Sequence, residues 1–323
     1  MKRFSHISLL VLAAALAPGA VATETKVAAP SPTMKVHDLA SGFTTVFDRN
    51  AGKSEREFVQ DFKATVASRF PGFYGAARFK GQRSEAERDA ELAKAYAEFP
   101  AMRDAYVKKV ARFTQDLPTH VASFQGTFPD YAAKTDIWFL HSLGEMDGGT
   151  RTIDGKRYFI FGADAMVKYH GDGDETAFFH HELFHDYHRM DCKTQPIWTS
   201  LWKEGLATYV AKQMNPTANN SELLLDIPPR LVENTRKELG RAFDDLHGKL
   251  DSEDRSDYAG LFYGSGGDKT GLPPRRGYYL GYLVAEEIGK GMSMQQMAKL
   301  ECGAARTAVV AAVEKLRAMH PVR

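Results

Sequence analysis

The chain has 323 residues, enough for one large domain or two smaller ones, and 43% of them are apolar, an ordinary share for a globular protein. Lysine and arginine number 42 against 41 for aspartate and glutamate, so no net field draws in nucleic acid or an acidic membrane surface. Neither is expected as a partner.

Lys2 and Arg3 precede an apolar run from Ile7 to Leu16, followed by Pro18, Gly19 and the small triplet Ala20-Val21-Ala22. This pattern reads as a secretory signal peptide over residues 1–22, with a mature chain from Thr23 exported to a periplasmic or extracellular space. The apolar run is too short to cross about 30 Å of hydrocarbon, and no later segment is long enough. No stable membrane insertion is expected. The two cysteines, Cys192 and Cys302, would both enter an oxidising compartment, either bridged or as separate buried thiols. They are not in the close pairs that thiolate zinc sites need.

Residues 23 to about 50, with Pro30 and Pro32, read as a loosely structured lead-in. From Ser54 to Phe70 the residues Phe58, Phe62 and Val66 mark one helix face, which Pro71-Gly72 ends. Ser84–Phe99 and Ala101–Phe124 are helical in pattern, their apolar positions including Leu92, Tyr96, Tyr106 and Val110 and their charges a solvated face. Asp136–Leu140 and Lys156–Phe161 are aromatic and β-branched runs, read as strands separated by turn signals at Gly148-Gly149 and Asp154-Gly155. Everything after Asp172 reads as helices broken by loops. The expectation is a mainly helical α+β fold, with a helical N-terminal region over 23–130 and a catalytic region with a small sheet over 131–323.

The segment Phe178-Phe-His-His-Glu-Leu-Phe-His185 contains His-Glu-x-x-His in a helical context, with Asp172 and Glu175 as a capping box for its start. A helix turns about 100° per residue, so His181 and His185 share one face and can reach one metal ion. Glu182 is displaced round the helix and is placed to touch a water beside the metal. Tetrahedral catalytic zinc takes a third protein ligand and keeps a fourth position open. Glu204, 19 residues past His185 in Trp202-Lys-Glu-Gly-Leu-Ala-Thr-Tyr209, is the candidate, after a loop at Cys192–Pro196 that lets a second helix return. His188 is the competing ligand, and His180 reads as structural.

With His181, Glu182, His185 and Glu204-Gly205 in place, residues 135 to 290 resemble the gluzincins, zinc peptidases with a glutamate third ligand. The resemblance implies a thermolysin-like core holding one zinc per chain, and a sheet edge along which a peptide or protein substrate lies. It also implies an oxyanion-stabilising phenol in a Tyr-x-x-Gly, for which Tyr278, three residues before Gly281, is the first candidate and Tyr279 the second. One departure is Thr208, which stands where thermolysin-like enzymes carry an aspartate that orients a zinc histidine; its hydroxyl, or Asp186, is the substitute. Arg275 and Arg276 are candidates for a substrate carboxylate or for solvated surface, and Trp198 and Trp202 for core. The function expected is zinc-dependent peptide hydrolysis with Glu182 as general base. A zinc amidase or esterase on a non-peptide substrate and an inactive metal-binding protein are the alternatives.

Overall fold

The computed structural model describes residues 34–188, 190–264 and 268–322; the segment 1–22, read as a signal peptide, lies outside them. In chain order they form β1 (Val36–Asp38), α1 (Ala40–Arg49), α2 (Glu55–Thr65), α3 (Pro71–Tyr74), α4 (Glu85–Glu98), α5 (Arg103–Thr127), β2 (Ile137–Leu140), β3 (Gly148–Ile153) and β4 (Lys156–Gly162). Nine further helices follow: α6 (Ala163–His170), α7 (Thr176–Tyr187), α8 (Ile197–Met214), α9 (Leu231–Lys237), α10 (Leu239–Lys249), α11 (Arg255–Phe262), α12 (Arg276–Gly289), α13 (Met294–Ala298) and α14 (Cys302–Met319). The fold is α+β and mainly helical, as the patterning implied. No helix among the described residues is long and apolar enough to cross a membrane.

The segment expected to be a loose lead-in is structured from β1 onward. Leu39, Ala40, Phe43 and Val46 recur at helical spacing and are fully buried or nearly so, with the Phe43 ring against Phe58, Phe62 and Phe99. Ser54 and Ser84 each form a complete capping box, with Glu57 and Glu87, which fixes the starts of α2 and α4. Pro71 opens α3 rather than only ending the helix before it, since a proline at a first turn loses no hydrogen bond. The charges of α5 are not all solvated. Lys109 is 3% exposed and reaches the equally buried Glu175 at 2.7 Å, joining α5 to the start of α7. Glu175 is therefore not half of a capping box; the Asp174 carboxylate accepts from the Thr176 N–H instead.

The sheet has the order β1-β2-β4-β3, with β1, β2 and β4 parallel and β3 antiparallel at the edge. Two strands were legible in sequence and four are present. Asp154-Gly155 is a two-residue hairpin turn with both residues at positive φ, as such turns require. Gly148-Gly149 is not a turn but the beginning of β3. Phe113 of α5 stacks on Phe139 at 3.8 Å, and one core runs from Leu39 to Leu316.

Helices α7 and α8 lie inside this core and are apolar on most faces, as buried helices are. Trp198 and Trp202 are core residues. Against α8 packs α12, and the backbones touch where Gly205 meets Gly281: a Cβ on Gly205 would stand 2.2 Å from the Gly281 carbonyl carbon. Cys192 and Cys302 are bridged, with Cα atoms 5.8 Å apart, which ties the loop between α7 and α8 to the start of α14. A cross-link over that sequence separation of 110 residues removes on the order of 4–5 kcal/mol of unfolded-chain entropy.

Alanine normally favours a helix over glycine by about 1 kcal/mol, yet Gly205→Ala is expected to lower stability by about 1–3 kcal/mol because α8 and α12 must part. Gly248→Ala, in α10 with open space around it, should be neutral or stabilising. Paired thermal melts check the contrast, and equal shifts would refute it.

Candidate metal centre

Helix α7 presents His181 and His185 one turn apart, and Glu204 reaches them from α8. The three offer donor atoms that all lie within 4.8 Å of one another, a group that can hold a metal ion. The separations are 3.0 Å between the two Nε2 atoms, 3.5 Å from His181 Nε2 to Glu204 Oε2, and 3.3 Å from His185 Nε2 to the same oxygen. Donors around a tetrahedral ion bound at about 2.0–2.1 Å stand roughly 3.3 Å apart, so the set fits such an ion. Burial alone would raise the Glu204 carboxyl, but the His185 charge and hydrogen bonds to both imidazoles hold it far below the usual range. Burial lowers His181, whereas at His185 the neighbouring Glu204 outweighs burial and raises it. The cluster thus keeps its carboxylate ionised inside the protein.

Glu182 lies beside this triad, 6% exposed, with Oε2 buried and without a hydrogen-bond partner. Burial pushes its carboxyl up to about 8. A cation bound by the triad would bring that value down, since an opposite charge favours the ionised form. What covers Glu182 is the start of β3. A Cβ on Gly148 would stand 2.7 Å from Phe178 Cζ and 2.9 Å from Glu182 Cγ, and one on Gly149 would stand 3.7 Å from Glu182 Oε2. Of the glycine pair read as a turn, Gly148 is there because nothing larger fits between the sheet edge and α7, and Gly149 because its φ of +129° suits glycine.

The triad opens into a cleft of about 760 Å³ lined by β3, α7, α8 and the start of α12. Tyr278 is on its wall, with Arg275 stacked over the ring at 4.4 Å, and burial holds the phenol well above its ordinary value, so it stays a protonated donor. Tyr279 is elsewhere: its hydroxyl accepts from Arg236 Nε at 2.6 Å and its ring packs in a small second apolar cluster. The structure brings together five of the six candidate residues and leaves Tyr279 outside.

Other sequence candidates take structural places. Arg276 is fully buried and bonded to Asp245 and Asp268, both at 2.5 Å, so it is neither solvated nor open to a substrate. The Thr208 hydroxyl donates to the Glu204 carbonyl one turn back, steadying the helix that carries Glu204 instead of an imidazole. Asp186 accepts from the Tyr131 hydroxyl and the Lys134 N–H. His180 Nδ1 accepts from the Asn215 side-chain amide at 2.9 Å, and His170 is hydrogen-bonded to Asp147 at 2.9 Å. Although burial alone would raise it, that bond holds Asp147 below its ordinary value. His188 lines the cleft outside the donor triad, and burial pushes its pKa to about 3, leaving it neutral. Asp147, Arg157, Lys203 and Tyr258 also line the cleft. They carry no motif, since they converge only through the fold.

Alanine at His181, His185 or Glu204 is expected to weaken zinc or cobalt binding at least 100-fold, while His188→Ala keeps it. Titration calorimetry with metal analysis checks both, and full affinity in the Glu204→Ala protein would remove that ligand.

Comparison with protein-family models, with curated proteins and with solved structures finds no match to this chain.

Proposed function

We propose that the chain is an exported zinc-dependent peptidase, with zinc held by His181, His185 and Glu204 and Glu182 acting as general base. The observation that carries this reading is an unpartnered buried carboxylate beside a convergent three-donor set, at the floor of an open cleft. A purely structural zinc site usually closes its coordination with four protein ligands and has no free base beside it. The resemblance of residues 135 to 290 to gluzincins supports the same reading, including a thermolysin-like arrangement of the core. The N-terminal segment supports export.

Strand β3 stands at the edge of the sheet and its residues Gly148 to Arg151 line the cleft, which suits an extended peptide laid down as an added strand. Zinc in the triad would supply Lewis acidity, acidifying water and polarising the scissile carbonyl. Glu182 takes the proton from the attacking water. As the C–N bond breaks, the same carboxyl returns that proton to the leaving amine. The Tyr278 phenol donates a hydrogen bond to the oxygen that gains charge as the carbonyl carbon becomes tetrahedral. Tight glycine packing over Glu182 keeps bulk water from its far side.

Glu182→Gln is expected to keep metal and fold and to lose hydrolysis by roughly 10²–10⁴-fold, because an amide cannot take the proton. Chelator-sensitive cleavage of a peptide library, read by mass spectrometry, is the assay; unchanged turnover in the variant would refute the role. Tyr278→Phe should lower kcat and kcat/KM together by roughly 10²–10³-fold with an unchanged melting temperature. Tyr279→Phe, which removes only the bond from Arg236, should leave turnover intact and cost about 1 kcal/mol of stability. A collapse of turnover for Tyr279→Phe alone would reverse the assignment.

A further inference from the structure

The cleft is electrically uneven along its length. Strand β3 and helix α7 run in the same direction. Gly148 at the start of β3 touches Phe178 and Glu182, while Arg157, in register with Thr152 near the strand's end, donates to the His185 carbonyl at 3.2 Å. The end of the cleft beyond His185 is therefore walled by Arg157, His188, Met190, Asp191 and Lys203, and the other end by Glu145 and Asp147, which are already paired, Glu145 with Arg78 and Arg151 and Asp147 with His170.

At the first end two groups lack the partners that burial normally demands. His188 is 5% exposed, and both of its ring nitrogens are buried without a hydrogen bond. Buried polar groups left in this state destabilise the fold unless something completes them. Lys203 is half-buried and donates to the neutral Gln195 side chain at 2.9 Å, with no ion pair among the described residues. Asp191, which lines this end, is exposed, so water screens it, and Glu204 beside Lys203 is taken up by the two imidazoles.

We propose that this end of the cleft is an anion subsite, in which Lys203 and the His188 N–H, with Arg157 adding positive charge, receive a carboxylate of the substrate. The inference rests on the peptidase reading for what that substrate is, a peptide with an acidic side chain. Antiparallel pairing, the stronger of the two, sets the peptide's direction opposite to β3. Its amino-terminal side then lies over the Arg157 end, so the acidic residue sits on the amino side of the cleaved bond.

The test is a heptapeptide library with glutamate or glutamine at each position in turn, cut by the zinc-loaded full chain and read by mass spectrometry. Glutamate on the amino side is expected to raise kcat/KM roughly 10-fold or more over glutamine, as a charge-assisted bond should. Lys203→Gln should abolish that preference, and Lys203→Glu should convert it into a preference for lysine, with neutral peptides still cut. Zinc content is measured for each variant. Should the Lys203 proteins fail to fold or to hold zinc, His188→Leu replaces them and is expected to reduce the glutamate preference several-fold.

An equal rate for the two peptides in the parent protein, or a glutamate preference that survives in both Lys203→Glu and His188→Leu, overturns the subsite. If the parent cuts no peptide, the peptidase reading fails, and binding decides the subsite separately. Fluorescence anisotropy of labelled Glu and Gln heptapeptides on the same proteins should then show tighter Glu binding that Lys203→Glu removes. Equal binding overturns the subsite as well.

Discussion

Helix α7 carries two imidazoles and a carboxylate into the protein interior, and the desolvation of those groups is the constraint around which the rest of the molecule is arranged. An ionised group moved out of water must be paired or must change protonation. Both answers appear side by side, one on each of two packed helices. Glu204 stays ionised because His181 and His185 bond to it, whereas Glu182, with no such bond, is pushed toward its neutral form. The buried Lys109–Glu175 pair follows the same rule at the helix start, where it also joins the N-terminal helices to the site. A bound cation would shift this balance by supplying the positive charge that Glu182 lacks.

Close approach without side chains is the second requirement, and glycine meets it twice. Gly148-Gly149 lets the sheet edge settle on Glu182, and Gly205-Gly281 lets α12 settle on α8. The second contact explains why two separate sequence features belong to one site. Glu204 immediately precedes Gly205 and Tyr278 precedes Gly281 by three residues, so a single backbone contact brings carboxylate and phenol to the same cleft. The arrangement is fixed by packing, and the phenol needs no tether of its own.

The donor triad was legible because its information is local. The spacing of four between His181 and His185 is a property of any helix, and the loop before Glu204 is long enough for a return. Elements whose reason lies in a distant partner were not legible. Strand β3 reads as a turn because its glycines answer to α7, and α1 was hidden behind the prolines upstream, although Phe43 and Val46 already showed helical spacing. The buried state of Arg276 depends on Asp245 and Asp268, 31 and 8 residues away, which no local pattern displays. The pairing of Cys192 with Cys302 needed the separation of their Cα atoms, which sequence does not contain.

The walls of the cleft also differ in how they are held. β3, α7 and α8 are regular elements locked into the main core, and they supply the triad and Glu182. The remaining wall uses loop residues in the left-handed region, with Leu224 at φ +57° and Arg275 at φ +60°. For a residue with a Cβ that conformation costs about 1–2 kcal/mol, which glycine would avoid. Glycine at Arg275, however, would remove the guanidinium that lies over Tyr278, and at Leu224 it would remove apolar surface from the cleft. At these two positions the side chains stay where the backbone disfavours them, so this wall of the cleft carries backbone strain that its regular elements do not.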